Sequence, residues 1–312
     1  MACRTTPEEW KHAITKLKQS RLSKMEKSVY PLLKLSYDYL VPTMKCCLLY
    51  CCLYPEDYPI PTKTLVEYWF CEGLFESDKI SEAQMEGDHI INSLLRASLL
   101  ERVDESFFGE ECVKMHDVIR DMGLWIACEP EEEEKEKSFF VKAGAQLLEE
   151  PDVKAWEGAK RMSVMQNQIE DLGGTPKCPN LKTLFLSQNK LQVINDEMEE
   201  ILSEGRLRDV ADEVGNPYPT PFLNLQTLYL LFLPELKSIY WDALPFPCLK
   251  RIYIEDCPKL KKFPLNSDSA KGYHITIKGE RDWWEQLEWE NEATRNAFMP
   301  SFQEPFYRRN QL

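Results

Sequence analysis

In this sequence no glycine is followed by lysine, so the phosphate-binding loop G-x-x-x-x-G-K-[ST] is absent outright. A chain without that loop cannot by itself hydrolyse a nucleotide through P-loop chemistry. G-x-S-x-G is missing too, and none of the four histidines pairs with a cysteine in a recognisable nucleophilic context. An enzyme is not expected. Positive charge is also short: 38 Lys and Arg face 52 Asp and Glu, a net charge of -14. That balance does not suit a sequence-independent nucleic-acid binder, whose affinity rests on neutralising phosphates. No apolar run approaches the ~20 residues that a membrane span requires. The opening "MACRTTPEEWKH" has neither an apolar signal core nor the glycine at position 2 that myristoylation needs. The 11 cysteines are an odd count and fall mostly on apolar faces, which fits reduced thiols better than a disulfide framework. A cytoplasmic protein is expected, with a peripheral place at the plasma membrane left open.

What is present points to globular structure. Hydrophobic residues make up 43% of a chain long enough for about two domains. Pro7 at a first turn, with Trp10, Ile14 and Leu17 at helical spacing, predicts a helix over 7–22. Apolar periods predict further helices near 25–39, 42–53, 62–72, 81–97 and 117–128. The segments "SLLERVDE" and "ECVKM" can pair as a hairpin around Phe107, Phe108 and Gly109. Short helices plus a two-stranded wing suggest a winged-helix arrangement. In the last helix Asp117 can cap the N-terminus, and Val118, Ile119, Met122, Trp125 and Ile126 form one apolar stripe. "EPEEEEKEK", Glu129 to Lys137, then reads as a solvated linker.

From about residue 160 the period changes. Met162, Val164, Asn167 and Ile169 recur 22 positions later as Leu184, Leu186, Asn189 and Leu191. With Leu181, "LKTLFLSQNKL" fits L-x-x-L-x-L-x-x-N-x-L without a mismatch. The ladder returns at Leu225, Leu228, Leu230 and Leu233, and again at Leu249, Ile252, Ile254, Cys257 and Leu260. Several matches in register indicate leucine-rich repeats, in which each short strand turns alternate side chains inward. The ladder breaks between Asn195 and Tyr218; Arg206 stands where the period asks for an aliphatic. The aromatic, acidic end, "GERDWWEQLEWENEATRNAFMPSF", carries no ladder and reads as a cap or a loosely docked tail.

Two local features invite a chemical reading. "KCCLLYCC" places Cys46, Cys47, Cys51 and Cys52 within seven positions, but only Cys47 and Cys51 share a helix face, and zinc sites use C-x2-C pairs from turns. Small buried hydrophobes fit better, and no metal is expected. "VKMHDVIRDMGLWIA" sets His116 at the first turn of a helix. Locally it is either a satisfied core or capping residue, or a phosphate contact where backbone N–H groups and the helix dipole favour an anion.

Longer blocks carry a family resemblance. "CCLLYCCLYPEDYPIPTKTLVEYWFCEGLF", Cys46 to Phe75, resembles the RNBS-D block of plant NB-LRR disease-resistance proteins, and "VKMHDVIRDMGLWIA" resembles their MHD motif. "TTPEEWKHAITKLKQS", "LLKLSYDYL", "AKRMSVMQNQIEDL" and the Trp-Trp tail resemble flanking parts of the coiled-coil subgroup. The resemblance implies the end of an NB-ARC helical domain over 1–22 and its winged helix over 23–128. An acidic linker over 129–158, leucine-rich repeats over 159–265 (irregular at 195–218) and a cap or tail over 266–312 would follow. The expected fold is thus an α-rich winged-helix domain followed by a short α/β repeat solenoid. In the intact family an ADP/ATP switch senses pathogen effectors. The match assigns an ADP phosphate contact to His116, with Met115 and Asp117 supporting the motif. The coiled coil and the phosphate-binding loop have no counterpart in this sequence. It therefore reads as a truncated receptor, a partner-binding or regulatory remnant that holds no nucleotide tightly, or as an incomplete gene model of a full receptor. Protein partners are expected: an effector, a guarded host protein or a full-length receptor. A winged-helix DNA binder is the weaker alternative, because "PTKTLVEYWFCEGLF" has one lysine and two glutamates.

Overall fold

The computed structural model describes residues 28–77, 79–103, 111–128, 138–152, 158–172, 180–194, 224–239, 246–266, 269 and 275–304. The helix expected at 7–22, the hairpin tip at Phe107, Phe108 and Gly109, the acidic run 129–137 and the irregular stretch 195–218 lie outside these residues.

The first unit is a winged helix. Helices α1 (Tyr30–Asp38), α2 (Pro42–Cys51), α3 (Thr62–Cys71), α4 (Ile80–Arg96) and α5 (Asp117–Cys128) stand where apolar periodicity placed them. Prolines at the first turns of α1 and α2 cost nothing there, since those N–H groups have no intrahelical acceptor. Helix α3 stops in a Schellman arrangement: Gly73 takes a left-handed φ of 72°, its N–H donates to the Phe70 carbonyl, and the Leu74 N–H donates to that of Trp69. Helix α4 buries Ala83, Gly87, Ile90, Ile91 and Leu94 against α3. Contact is so close that a Cβ on Gly87 would lie 2.4 Å from a Val66 methyl. The wing strands β2 (Glu101–Arg102) and β3 (Cys112–Lys114) pair antiparallel as expected. A third strand, β1 (Ile60–Pro61), joins β3 from the other side.

The second unit is the repeat solenoid. One parallel sheet runs in the order β12 (Phe302–Gln303), β11 (Thr276–Lys278), β10 (Arg251–Glu255), β9 (Thr227–Leu231), β7 (Thr183–Phe185), β5 (Arg161–Ser163), β4 (Phe139–Val141). Register aligns Phe140, Met162, Leu184, Leu228, Ile252 and Ile277 in a single inward column, and all six lie in the solenoid core. A small lateral sheet pairs β6 (Asp171–Leu172) with β8 (Val193–Ile194). The residue after each strand's turn, Gln166, Gln188, Phe232 and Asp256, takes φ between 51° and 58°. At three of these turns the next residue, Asn167, Asn189 or Cys257, bonds backbone carbonyls, and at the fourth it is Leu233 in the solenoid core. Asn167 and Asn189 donate from their amides to the carbonyls of Val164 and Leu186, which directly follow their own strands, and Asn189 also to Val164. Cys257 donates its thiol to the Leu230 carbonyl at 3.3 Å.

Two boundaries differ from the sequence reading. The stretch expected as linker over 129–158 contains β4, which pairs with β5 and opens the sheet. An acidic run masks it in the sequence, because only three residues of alternation follow. At the other end β11 and β12 prolong the ladder past residue 265. Over 275–304 the terminus is a packed cap rather than a loose tail. Trp283 donates its indole N–H to the Leu260 carbonyl at 2.9 Å, and Trp284 stacks on Phe302 with ring centroids 4.5 Å apart. Strand β7 pairs directly with β9, so the sheet closes across the irregular stretch.

Candidate functional site

His116 precedes α5, and its carbonyl accepts from the N–H groups of Ile119 and Arg120, both at 3.0 Å. Its side chain is 53% exposed, so it is no core residue. The ring Nδ1 accepts from the Val118 N–H at 3.3 Å and lies 2.5 Å from Asp117 Oδ1. Asp117 Oδ1 also accepts from the Val118 N–H at 2.6 Å, so this carboxylate both caps the helix and orients the imidazole.

The residues around His116 are anchored deep in the winged helix. Met115 is buried, its sulfur 3.8 Å from Sγ of Cys52, the residue that follows α2, and its carbonyl accepts from the Asp57 N–H. Lys114 donates to Asp57 at 2.9 Å. Arg120, one turn into α5, donates from Nε to the Tyr54 carbonyl at 2.6 Å, and burial pushes its guanidinium below the usual range. Gly123 completes the contact: a Cβ there would meet Cys52 Sγ at 2.5 Å. The sequence blocks around Cys46–Phe75 and Val113–Ala127 are thus two halves of one packed object.

Fitness for a diphosphate can be read from this turn. The backbone N–H groups of Val118, Ile119 and Arg120 are already used by Asp117 and by the His116 carbonyl. The Asp117 carboxylate beside the ring repels an anion. What remains is one imidazole contact without a cradle. Of the cysteines in "KCCLLYCC", Cys47, Cys51 and Cys52 are buried and Cys46 is exposed. Cys51 donates back to the Cys47 carbonyl, Cys52 points at Leu48 and Met115, and burial pushes the Cys51 thiol well above its ordinary value. Among the described residues, no group of three or more His, Cys, Asp and Glu could hold a metal.

A second constellation was not anticipated. Helix α3, weighed above as a DNA reader, lies instead on the outward face of the repeat sheet. Tyr68 meets Phe185, Tyr229 and Tyr253, with centroids 5.8, 4.0 and 5.4 Å away. Those three rings belong to successive strands β7, β9 and β10 and stack on one another at 4.6 and 5.0 Å. Tyr50 and Tyr54 add edge contacts to Phe185. Acids close both ends. Glu72 accepts from Arg161 at 2.7 Å and from the Thr183 hydroxyl, while Glu67 accepts from Lys278 at 2.6 Å and from the Tyr253 hydroxyl at 3.1 Å. Arg251 lies over the Phe70 ring at 5.3 Å. Burial pushes the phenols of Tyr50, Tyr68 and Tyr229 well above the ordinary value. A signal for this joint exists in the sequence. The outward positions between paired inward aliphatics are polar on an exposed sheet, yet here they read Phe185, Tyr229, Tyr253.

Comparison with known proteins bears directly on the winged helix. Residues 53–123 match the family described as "Disease resistance protein Winged helix domain". Disease resistance protein SUMM2 of Arabidopsis thaliana is 39% identical over 248 residues, 75% of this chain and 27% of that protein. Probable disease resistance protein At1g61190, from the same plant, is 41% identical over 238 residues, again 75% of this chain and 24% of the relative. A third, probable disease resistance protein At1g12290, is 38% identical over 519 residues, covering 96% of this chain and 58% of the relative. The chain thus spans about a quarter of the length of the first two and somewhat over half of the third. Since it has only 312 residues, roughly 200 positions of that last alignment have no counterpart here.

Proposed function

The chain belongs to the NB-LRR disease-resistance family over the winged helix and repeats that it spans, and on that premise we propose that it carries one half of a nucleotide-dependent defence switch. His116 is the half in question. It stands exposed at the first turn of α5 between the buried Met115 and the helix-capping Asp117, and this is the observation that carries the reading. When ADP is bound in an assembled switch, its phosphates supply the charge that the imidazole senses. Met115 anchors the turn and Asp117 orients the ring. Those phosphates would have to be wrapped by a loop of the G-x-x-x-x-G-K-[ST] type, which this sequence does not contain.

The proposed role is therefore regulatory or partner-binding, with no turnover of its own, and the proposed partners are proteins of the defence response: an effector, a guarded host protein or a longer receptor. DNA is a poor candidate, because the face of α3 that would read it is packed on the repeats. Among the described residues no helix is long and apolar enough to cross a membrane. Isothermal calorimetry tests the switch-half reading. Titrating ADP into the chain should give no binding at micromolar concentration, since one imidazole cannot replace a loop that wraps the phosphates. Micromolar or tighter binding would overturn it. A reading frame upstream of Met1 encoding the missing loop would instead favour the incomplete gene model.

A further inference from the structure

In leucine-rich repeats the strands line the inside of the horseshoe, where protein ligands are commonly taken. Here the outward side chains of that sheet are engaged strand by strand. On β4, Phe139 and Val141 pack into the winged-helix core. On β5, Arg161 reaches Glu72; on β7, Thr183 reaches the same carboxylate while Phe185 sits among Tyr50, Tyr54 and Tyr68. On β9 and β10, Tyr229 and Tyr253 pack on Tyr68, and Arg251 covers Phe70. On β11, Lys278 reaches Glu67. Only β12 remains, a two-residue edge strand whose Gln303 is exposed.

We infer that in this chain the strand face of the repeats is an internal joint rather than a recognition surface, closed over the described strands β4 to β11 by the winged helix, with helix α3 at its centre. Two observations make this specific to the chain rather than general to repeats. First, the clasps stand at the ends of the sheet. Arg161 lies one strand from the β4 edge, and Lys278 one strand from the β12 edge, beyond which the Trp283–Trp284 cap follows directly. A single helix spans the interval because Glu67 on α3 and Glu72, the C-cap residue of α3, lie five residues apart with Tyr68 between them, and long side chains make up the remaining distance. Second, the array is short. Strand β7 joins β9 without an intervening strand, and roughly 200 positions of a longer relative find no counterpart in this sequence. A longer array would carry strand face beyond the reach of the winged helix; among the described strands of this one, β12 alone lies beyond it. A protein that binds this chain therefore uses another face, or must first lift α3 off the sheet.

The joint can be tested on the full chain by placing a site-specific protease site within the acidic run 129–137, which separates the two units in sequence. After cleavage at 150 mM salt the two halves should still elute together from gel filtration. Halves that part at once would overturn the inference. The E67K/E72K double variant, cut in the same way, should release them, and adding K278E and R161E should restore part of the association. If the variant loses its fold, nitration of the uncut native chain by tetranitromethane, read peptide by peptide, decides independently. Tyr229 and Tyr253 should react at least about tenfold more slowly than in urea, as expected for side chains reached only through opening of the joint. Equal rates would show an open sheet face and end the proposal.

Discussion

His116 and Glu72 each stand at the end of a helix in the same winged-helix unit, and they are held in opposite ways. His116 is half open to solvent and is fixed by its neighbour Asp117 and by the first turn of its own helix. The Glu72 side chain is 2% exposed and is fixed by Arg161 and Thr183, 89 and 111 residues away. The first is a local motif with its anchors adjacent in sequence, poised to meet something outside. The second has no motif at all and is meaningful only through what the fold brings to it. Of these two, the residue that its motif reveals is the lightly held one, while the residue that determines how the two units meet looks ordinary in the sequence.

That contrast can be broken by mutation, starting where the effect is greatest. Arg161→Ala should destabilise the chain by about 3–5 kcal/mol in urea unfolding, because it leaves the Glu72 carboxylate buried with only a hydroxyl for company. A loss below about 1 kcal/mol would mean that water reaches Glu72 and that the joint is looser than its geometry. Gly123→Ala should cost less, about 1–3 kcal/mol, since its new Cβ must push aside Cys52 Sγ and part α5 from α2. Adding Cys52→Ala should recover some of that loss if the clash is its source, and a double-mutant cycle from thermal melts measures the recovery. His116→Ala should change stability least, within about 0.5 kcal/mol, because Asp117 keeps the Val118 N–H capped without it. A loss of 2 kcal/mol or more would show that His116 is a structural residue after all and would remove its claim to sense a ligand.

How much of this was legible beforehand depends on the range of the signal. The five helices and the wing pairing follow from apolar period and turn residues that act within about a dozen positions, and they stand where the sequence places them. The inward repeat column was equally visible, since Met162, Leu184, Leu228 and Ile252 answer to one rule repeated. Strand β1 was not visible, because Ile60 and Pro61 pair with Val113 and Cys112 across half the unit, and a two-residue strand leaves no period to read. Nor was β4, three residues behind an acidic run. Around His116 the sequence offered burial, capping or ligand contact as alternatives, and exposure alone excluded the core reading.

From the sequence alone came the two kinds of unit, their order, the lack of a phosphate-binding loop and the turn that bears Met115, His116 and Asp117. Each rests on side-chain periodicity or short-range backbone chemistry, which need no knowledge of distant contacts. Only the tertiary structure could decide that Phe185, Tyr229 and Tyr253 face Tyr68 rather than water, and that Glu67 and Glu72 close the ends of that face. An outward aromatic on a strand is the same residue in either case. Which it becomes is set by whether another apolar surface is brought against it with charges paired at the rim, and that is a property of the assembled pair of units rather than of either pattern.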